Sequence, residues 1–238
     1  MDGCYIERVP HELPADAQLW RVDLDAYPDV GALDGLTADE LARAARMAFG
    51  RDGRRFLASR HALRRVLANT VNCAADTLVI DADAFGKPRL LNGGALEFNL
   101  SHSAHECLIG ISAGRPIGVD IEVIQTVIDA DALARAHFTA AEHAEWWQAP
   151  VPSRDRAFLA CWTRKEACLK ALGVGLSAQP AIIEAGCTSD ARVAVIPLGS
   201  RRCEVALCSL RLPGSAVAAV ALAAADDAVL ARGVFGRQ

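Results

Sequence analysis

The sequence predicts an α+β chain built as a pseudo-dimer of two similar halves, and three observations carry that prediction. First, three short strings recur in the same order at similar offsets. Val22-Asp23-Leu24-Asp25 answers Val119-Asp120-Ile121-Glu122, and Ala38-Asp39-x-Leu41-Ala42-Arg43-Ala44 answers Ala130-Asp131-x-Leu133-Ala134-Arg135-Ala136. Arg54-x-Phe56-Leu57-Ala58 likewise answers Arg156-x-Phe158-Leu159-Ala160. Second, each half reads as a β-type stretch, a short helical pattern, a longer one, and then more β-rich sequence. Third, apolar positions recur at three- and four-residue steps over residues 54–72 and 154–172, the signature of long helices.

Taken in order, the β-type openings are residues 19–24 and 116–123. The first half closes on residues 77–80 and 107–112, the second on 191–196, 205–212 and 217–223. Pro213-Gly214 reads as the turn of a hairpin. The division falls near residue 116, giving halves 1–116 and 117–238. A cleft between such halves is a common place for a ligand site.

Composition narrows the class. Of 238 residues, 52% are hydrophobic and 23% charged, an ordinary globular balance, and aromatics at 5% leave the core aliphatic. A net charge of −4 gives no reason to expect nucleic acid, although arginines cluster between residues 43 and 65. The first residues are mixed polar with no apolar leader region, and the Ala/Val run at 216–225 falls short of the roughly 20 residues that span a bilayer. The eight cysteines form no C-x-x-C pair, and Cys107, Cys161, Cys168 and Cys208 lie in apolar runs, where thiols act as small hydrophobes. A cytoplasmic protein with no membrane partner is expected.

Four segments carry chemistry. Gly118-Val119-Asp120-Ile121-Glu122-Val123 sets two acids at i and i+2, on one face of a strand. A buried carboxylate pair needs a cation or a shared proton, and Mg²⁺ is a hard ion commonly held by carboxylates and phosphate oxygens. A strand end with two solvated acids reads the same way, and Asp23/Asp25 repeats the pattern in the first half. In Trp162-Thr163-Arg164-Lys165-Glu166-Ala167-Cys168-Leu169-Lys170, Glu166 and Lys170 share a helix face, which is also the spacing of a routine surface pair worth about 0.2–0.5 kcal/mol. Lys165 points about 100° away from Glu166 and falls off that face. Gly173 and Gly175 are suited to end the helix. Phe98-Asn99-Leu100-Ser101-His102-Ser103 reads as a capped turn, or as a turn binding phosphate through hydroxyls and imidazole. Phe85-Gly86-Lys87-Pro88 places a lysine on a stiff turn, either as a phosphate clamp or merely solvated.

The order and spacing of these four segments, with Gly173-x-Gly175-Leu176 closing the last, resemble the Sfp-type 4′-phosphopantetheinyl transferases. The helical pattern before them and the hairpin after them extend the likeness over nearly the whole chain. The resemblance implies a pseudo-dimeric α+β fold with the active site at the interface of the halves. It implies transfer of the 4′-phosphopantetheine arm of coenzyme A to a serine of an apo acyl or peptidyl carrier protein, with release of adenosine 3′,5′-bisphosphate. Carried over, Asp120, Glu122 and Glu166 hold Mg²⁺ against the pyrophosphate, and Lys170 steadies the phosphates and protonates the leaving group. Lys87, Ser101 and His102 contact the nucleotide end of coenzyme A. Arg43, Arg46 and Arg60 are candidates for its 3′-phosphate, with Arg60 preferred. Either Glu166 or a metal-bound water is the base. The carrier serves fatty-acid, polyketide or non-ribosomal peptide synthesis, and a pseudo-dimer that completes its own site is expected to be a monomer. Two other readings of the same residues are an inactive carrier-binding scaffold and a Mg²⁺-dependent nucleotide hydrolase.

Overall fold

Two four-stranded antiparallel sheets pack face to face, each with a long helix on its outer side. The computed structural model describes residues 5–14, 16–28, 34–83, 86–174, 179–188, 190–198 and 201–227. The first sheet has the order β1 (Ile6–Arg8), β2 (Ala17–Asp23), β6 (Glu106–Ala113), β5 (Leu96–Ser103). The second has the order β7 (Ile117–Val123), β10 (Ala216–Ala223), β9 (Arg201–Leu210), β8 (Arg192–Leu198). The halves share a topology: the opening strand of each, β2 or β7, pairs antiparallel with the closing strand, β6 or β10. Strands β3 (Ile80–Ala82) and β4 (Pro88–Leu90) form a small separate ribbon.

The period-2 pattern explains the layers. Ile117, Val119 and Ile121 on β7 meet Leu19 of β2, Leu108 of β6 and Val220 of β10 in the core between the sheets. Cys107, Ile109 and Ile111 of β6 point the other way, into a core with Ala62, Leu63, Val66 and Leu67 of α2 (Gly50–Val71). Across the molecule, Ala219, Ala221 and Ala223 of β10 pack on Ala167, Cys168, Ala171 and Leu172 of α5 (Arg154–Leu172). The shorter helices are α1 (Ala38–Ala45), α3 (Ala130–His137) and α4 (Ala140–Gln148). Thr37 with Glu40 and Thr139 with Glu142 close reciprocal caps at the starts of α1 and α4. Among the described residues no helix is long and apolar enough to cross a membrane.

Two expectations are corrected. Residues 77–80 are only partly extended: Ala75–Thr77 is a 3₁₀ turn, and the strand begins at Ile80. Phe98-Asn99-Leu100-Ser101-His102-Ser103 is no turn but the outer strand β5, paired with β6 throughout. Its polar residues alternate with apolar ones because its two faces meet different surroundings. Phe98 and Leu100 pack toward α2, while Asn99, Ser101 and Ser103 face β7.

Candidate active site at the seam between the halves

β5 and β7 are edge strands of their sheets, and their meeting line builds the site. An edge strand leaves backbone N–H groups to be satisfied. Here side chains of β5 satisfy two of them on β7: the Val119 amide donates to Asn99 Oδ1 at 2.9 Å, and the Val123 amide to Ser103 Oγ at 3.2 Å. Between these points, Ser101 Oγ donates to Asp120 Oδ1 at 2.8 Å and Ser103 Oγ donates to Glu122 Oε2 at 2.6 Å. Val119 and Ile121 take the core face of β7, so Gly118, Asp120 and Glu122 share the face beneath α5.

Gly118 sets how close that helix comes. A Cβ there would stand 2.1 Å from the Ala167 carbonyl oxygen and 2.3 Å from the Ala171 nitrogen, both backbone atoms, so no side chain fits. With Ala167 and Ala171 small and fully buried, α5 lies directly on β7 and brings Glu166 and Lys170 over its acids. Lys170 Nζ then reaches Asp120 Oδ1 at 2.6 Å and Ser101 Oγ at 3.1 Å. The lysine thus joins two strands from opposite halves, β7 of its own half through Asp120 and β5 of the other through Ser101. Gly173 ends α5 in the left-handed region at φ 69°. Gly175 and Leu176 lie outside the described residues, as does Phe85.

The electrostatics are those of an under-neutralised acidic cluster. Asp120 is 4% exposed, and burial pushes its carboxyl above the ordinary range even though the Lys170 ammonium opposes the shift. Glu166 is raised first by burial and then by the Asp120 charge, Glu122 by burial and, against its Ser103 bond, by Asp120. Asp120 Oδ2 and Glu166 Oε1 are buried without a hydrogen-bond partner. Such orphaned anionic oxygens are costly unless a cation takes them up. Among the described residues no group of three or more His, Cys, Asp or Glu side chains is gathered closely enough to hold a metal ion as it stands. The donor set consists of carboxylate oxygens, and its two unpartnered oxygens fit a hard divalent ion.

From the seam a groove runs toward the first half. Its near part, about 260 Å³, is lined by Lys170, Asn99, Leu100, Lys87 and Gly173, and shares Gly86 and Pro88 with the far part. The far part, about 370 Å³, is lined by Arg43, Phe56, Arg60, Glu40 and Ile80. His102 is exposed, and its imidazole is lowered by desolvation first, then by the charges of Lys170 and Arg43. Lys87 is buried, with its ammonium 3.1 Å from the Ala171 carbonyl at the end of α5 and 3.8 Å from Glu97. Arg60 bonds Glu40 at 2.8 Å, and Glu40 also takes Arg64. Arg43 lies over the Phe56 ring at 5.0 Å, and no acid pairs with it among the described residues. Arg46 does not line the groove.

Sequence reading missed one pair. Lys165 is fully buried, 2.6 Å from Glu142 Oε2, and donates to the carbonyls of Pro180 and Ile183. Glu142 Oε1 accepts the amides of Ala185 and Gly186 at 2.8 and 2.9 Å. This pair straps residues 180–186 to α4 and α5 beside the site. The capping-box spacing Thr139-x-x-Glu142 was visible in the sequence; its buried partner was not. The first-half acids are otherwise occupied: Asp23 Oδ1 accepts the Asp25 and Ala26 amides in a turn, and Asp25 pairs with Arg54 and Arg55.

The second half matches the model of the 4′-phosphopantetheinyl transferase superfamily over residues 116–221, and the first half matches a 4′-phosphopantetheinyl transferase N-terminal model over residues 25–113. The chain is 35% identical over 173 residues to the 4′-phosphopantetheinyl transferase HetI of Nostoc sp. strain PCC 7120, covering 69% of this chain and 72% of that one. It is 30% identical over 139 residues to the 4′-phosphopantetheinyl transferase psf-1 of Bacillus pumilus, 58% of each chain. A shorter stretch of 89 residues is 44% identical to the 4′-phosphopantetheinyl transferase AcpT of Salmonella typhi, covering 37% of this chain and 46% of the relative.

Proposed function

The chain belongs to the 4′-phosphopantetheinyl transferase superfamily, and from that premise we propose that it transfers the 4′-phosphopantetheine arm of coenzyme A to a serine of an apo acyl or peptidyl carrier protein. Adenosine 3′,5′-bisphosphate leaves. The observation that carries this reading is the seam itself: three carboxylates and Lys170 of the second half meet Ser101 and Ser103 of the first, two of the acids hold orphaned oxygens, and a groove lined by Lys87, Arg43 and Arg60 leads away from them.

In this reading the division near residue 116 separates a first half that receives the nucleotide end from a second that holds the acidic group. Asp120, Glu122 and Glu166 would hold Mg²⁺. That ion supplies neutralisation of the charge that develops on the pyrophosphate oxygens. Phosphoryl-type transfer depends mainly on positioning and charge stabilisation, and no covalent enzyme intermediate is required. The serine hydroxyl attacks the phosphorus bearing the pantetheine arm, the bridging P–O bond breaks, and the leaving oxygen takes a proton from Lys170. Glu166, raised above the ordinary carboxyl range, is suited to accept the serine proton.

In this reading the groove receives the nucleotide end. His102 and Lys87 stand beside it, whereas Ser101 is turned into the acidic group and acts there. Arg60 is held by Glu40, which it shares with Arg64, whereas Arg43 has no acid partner among the described residues and is the better anchor for the 3′-phosphate. The test is intact mass measurement of an apo carrier protein incubated with this enzyme, coenzyme A and Mg²⁺. A gain of one phosphopantetheine arm, lost in EDTA or in Asp120→Ala, is expected. Carrier binding without mass gain would support the scaffold reading, and coenzyme A breakdown without carrier the hydrolase.

A further inference from the structure

Two hydroxyls face the acidic group across the seam, and they are wired alike. Ser101 Oγ accepts from Lys170 Nζ at 3.1 Å and donates to Asp120 Oδ1 at 2.8 Å. Ser103 Oγ accepts from the Val123 amide at 3.2 Å and donates to Glu122 Oε2 at 2.6 Å. A serine hydroxyl has one proton to give. Once an N–H points at its lone pair, that proton is left for the carboxylate, so each hydroxyl is oriented from behind. Each acid is therefore gripped by one oxygen, and its other oxygen takes no hydrogen bond from β5. Asp120 Oδ2 has no partner, and the hydrogen bonds to the Glu122 carboxylate among the described residues end on Oε2.

Resting on the divalent-cation reading above, we propose that Ser103 is a positioning residue: it fixes Glu122 so that Oε1 is offered to the cation, and so sets the site's cation affinity without touching the ion. Glutamate has a long side chain, and Glu122 lies next to the last residue of β7, only partly buried. Without the hydroxyl it would sample solvent-facing rotamers, and cation binding would have to restrict them. A partner that orients a ligand carboxylate in this way is worth roughly 10–100-fold in metal affinity. Ser103 gives a cleaner test than Ser101, which also touches Lys170 and would mix two effects.

The experiment is calorimetric titration of Mn²⁺ into the full chain, without coenzyme A or carrier, for wild type, Ser103→Ala and Ser103→Thr. Ser103→Ala is expected to weaken Mn²⁺ binding by about 10–100-fold, and Ser103→Thr, which keeps the hydroxyl, to stay within about threefold of wild type. In carrier modification, the cation concentration for half-maximal rate should move with the dissociation constant, while kcat at saturating cation changes little. Equal Mn²⁺ affinity in wild type and Ser103→Ala would overturn the proposal, as would a Ser103→Thr variant as weak as Ser103→Ala. Should Ser103→Ala not fold, Ser103→Cys keeps the volume with a far weaker donor and is read the same way. Wild type that binds no Mn²⁺ would remove the cation reading itself and this inference with it, an outcome distinct from equal, measurable affinities.

Discussion

Lys165 and Lys170 lie on one helix, and the structure gives their removal opposite consequences. Lys165 is 0% exposed, and its ammonium serves Glu142 and two backbone carbonyls. Replacing it with Ala leaves a buried carboxylate, two buried carbonyl groups and a cavity. Breaking a buried ion pair from one side costs about 3–5 kcal/mol. In a chain of this size each kcal/mol moves the midpoint by about 2–4 °C, so Lys165→Ala should melt about 6–20 °C lower. Replacing both partners, Lys165→Met with Glu142→Gln, should cost less than Lys165→Met alone, because no bare charge stays buried. Lys170 is the contrasting case. It is 28% exposed on its side chain, and the Asp120 it leaves can protonate or take a cation, so Lys170→Ala should shift the midpoint by no more than about 4 °C. Its effect should fall on transfer, slowed by about 10²-fold or more, with Lys170→Arg rescuing only in part. Circular dichroism melts and single-turnover carrier modification measure the two quantities. A Lys165→Ala melt within about 2 °C of wild type would refute the buried-pair argument. Transfer by Lys170→Ala within about threefold of wild type would refute the catalytic one.

Two further outcomes are expected. Replacing Asp23 and Asp25 together with Asn should leave transfer within a few-fold of wild type and cost about 1 kcal/mol or less for the exposed Asp25 pairs; a rate loss as large as that of Asp120→Asn would place the site in the wrong half. Asp120, Glu122 and Glu166 have carboxyl groups raised above their unfolded values, and such groups favour the folded state below the unfolded pKa and lose that contribution as pH rises through the folded one. His61 and His102, lowered from the ordinary imidazole value, oppose this over the same window, so the reading is the difference from a Glu122→Gln/Glu166→Gln variant. In EDTA the wild-type melting temperature should rise relative to that variant as pH is lowered from about 7 toward about 5, and saturating Mg²⁺ should flatten that relative rise; a relative fall would contradict the buried, under-neutralised cluster. Glu40 and Asp25, shifted the other way, act below this window.

Much of the fold was legible because it rests on periodicity. The long helices and most strands of both sheets carry their apolar spacing in one segment each, and the acidic pair on β7 shows its shared face directly. The features that escaped are those whose reason lies in another segment. β5 carries the alternation of a strand, but its polar face meets a second strand instead of water, so Asn99, Ser101 and Ser103 read as turn residues. Lys165 reads as an ordinary helix-surface lysine because Glu142 is on another helix, and Arg60 reads as a free cation because Glu40 is on α1. In each case the partner that decides the role lies in another segment.

The duplicated pattern also explains why only one half built a site. After β2, the acid Asp25 is met by Arg54 and Arg55 from α2, so it is already more than neutralised. On β7 the matching acids Asp120 and Glu122 face α5, which supplies Glu166 and Lys170 in place of two arginines. Burial deepens the difference, because Gly118 and the small residues Ala167 and Ala171 draw that helix onto the strand. Three acids then share one ammonium in a half-dry seam, and two carboxylate oxygens remain without partners. A deficit of positive charge that the fold cannot fill from its own residues is the condition for an external cation. In the first half the local balance is reversed, with two arginines on the single acid Asp25.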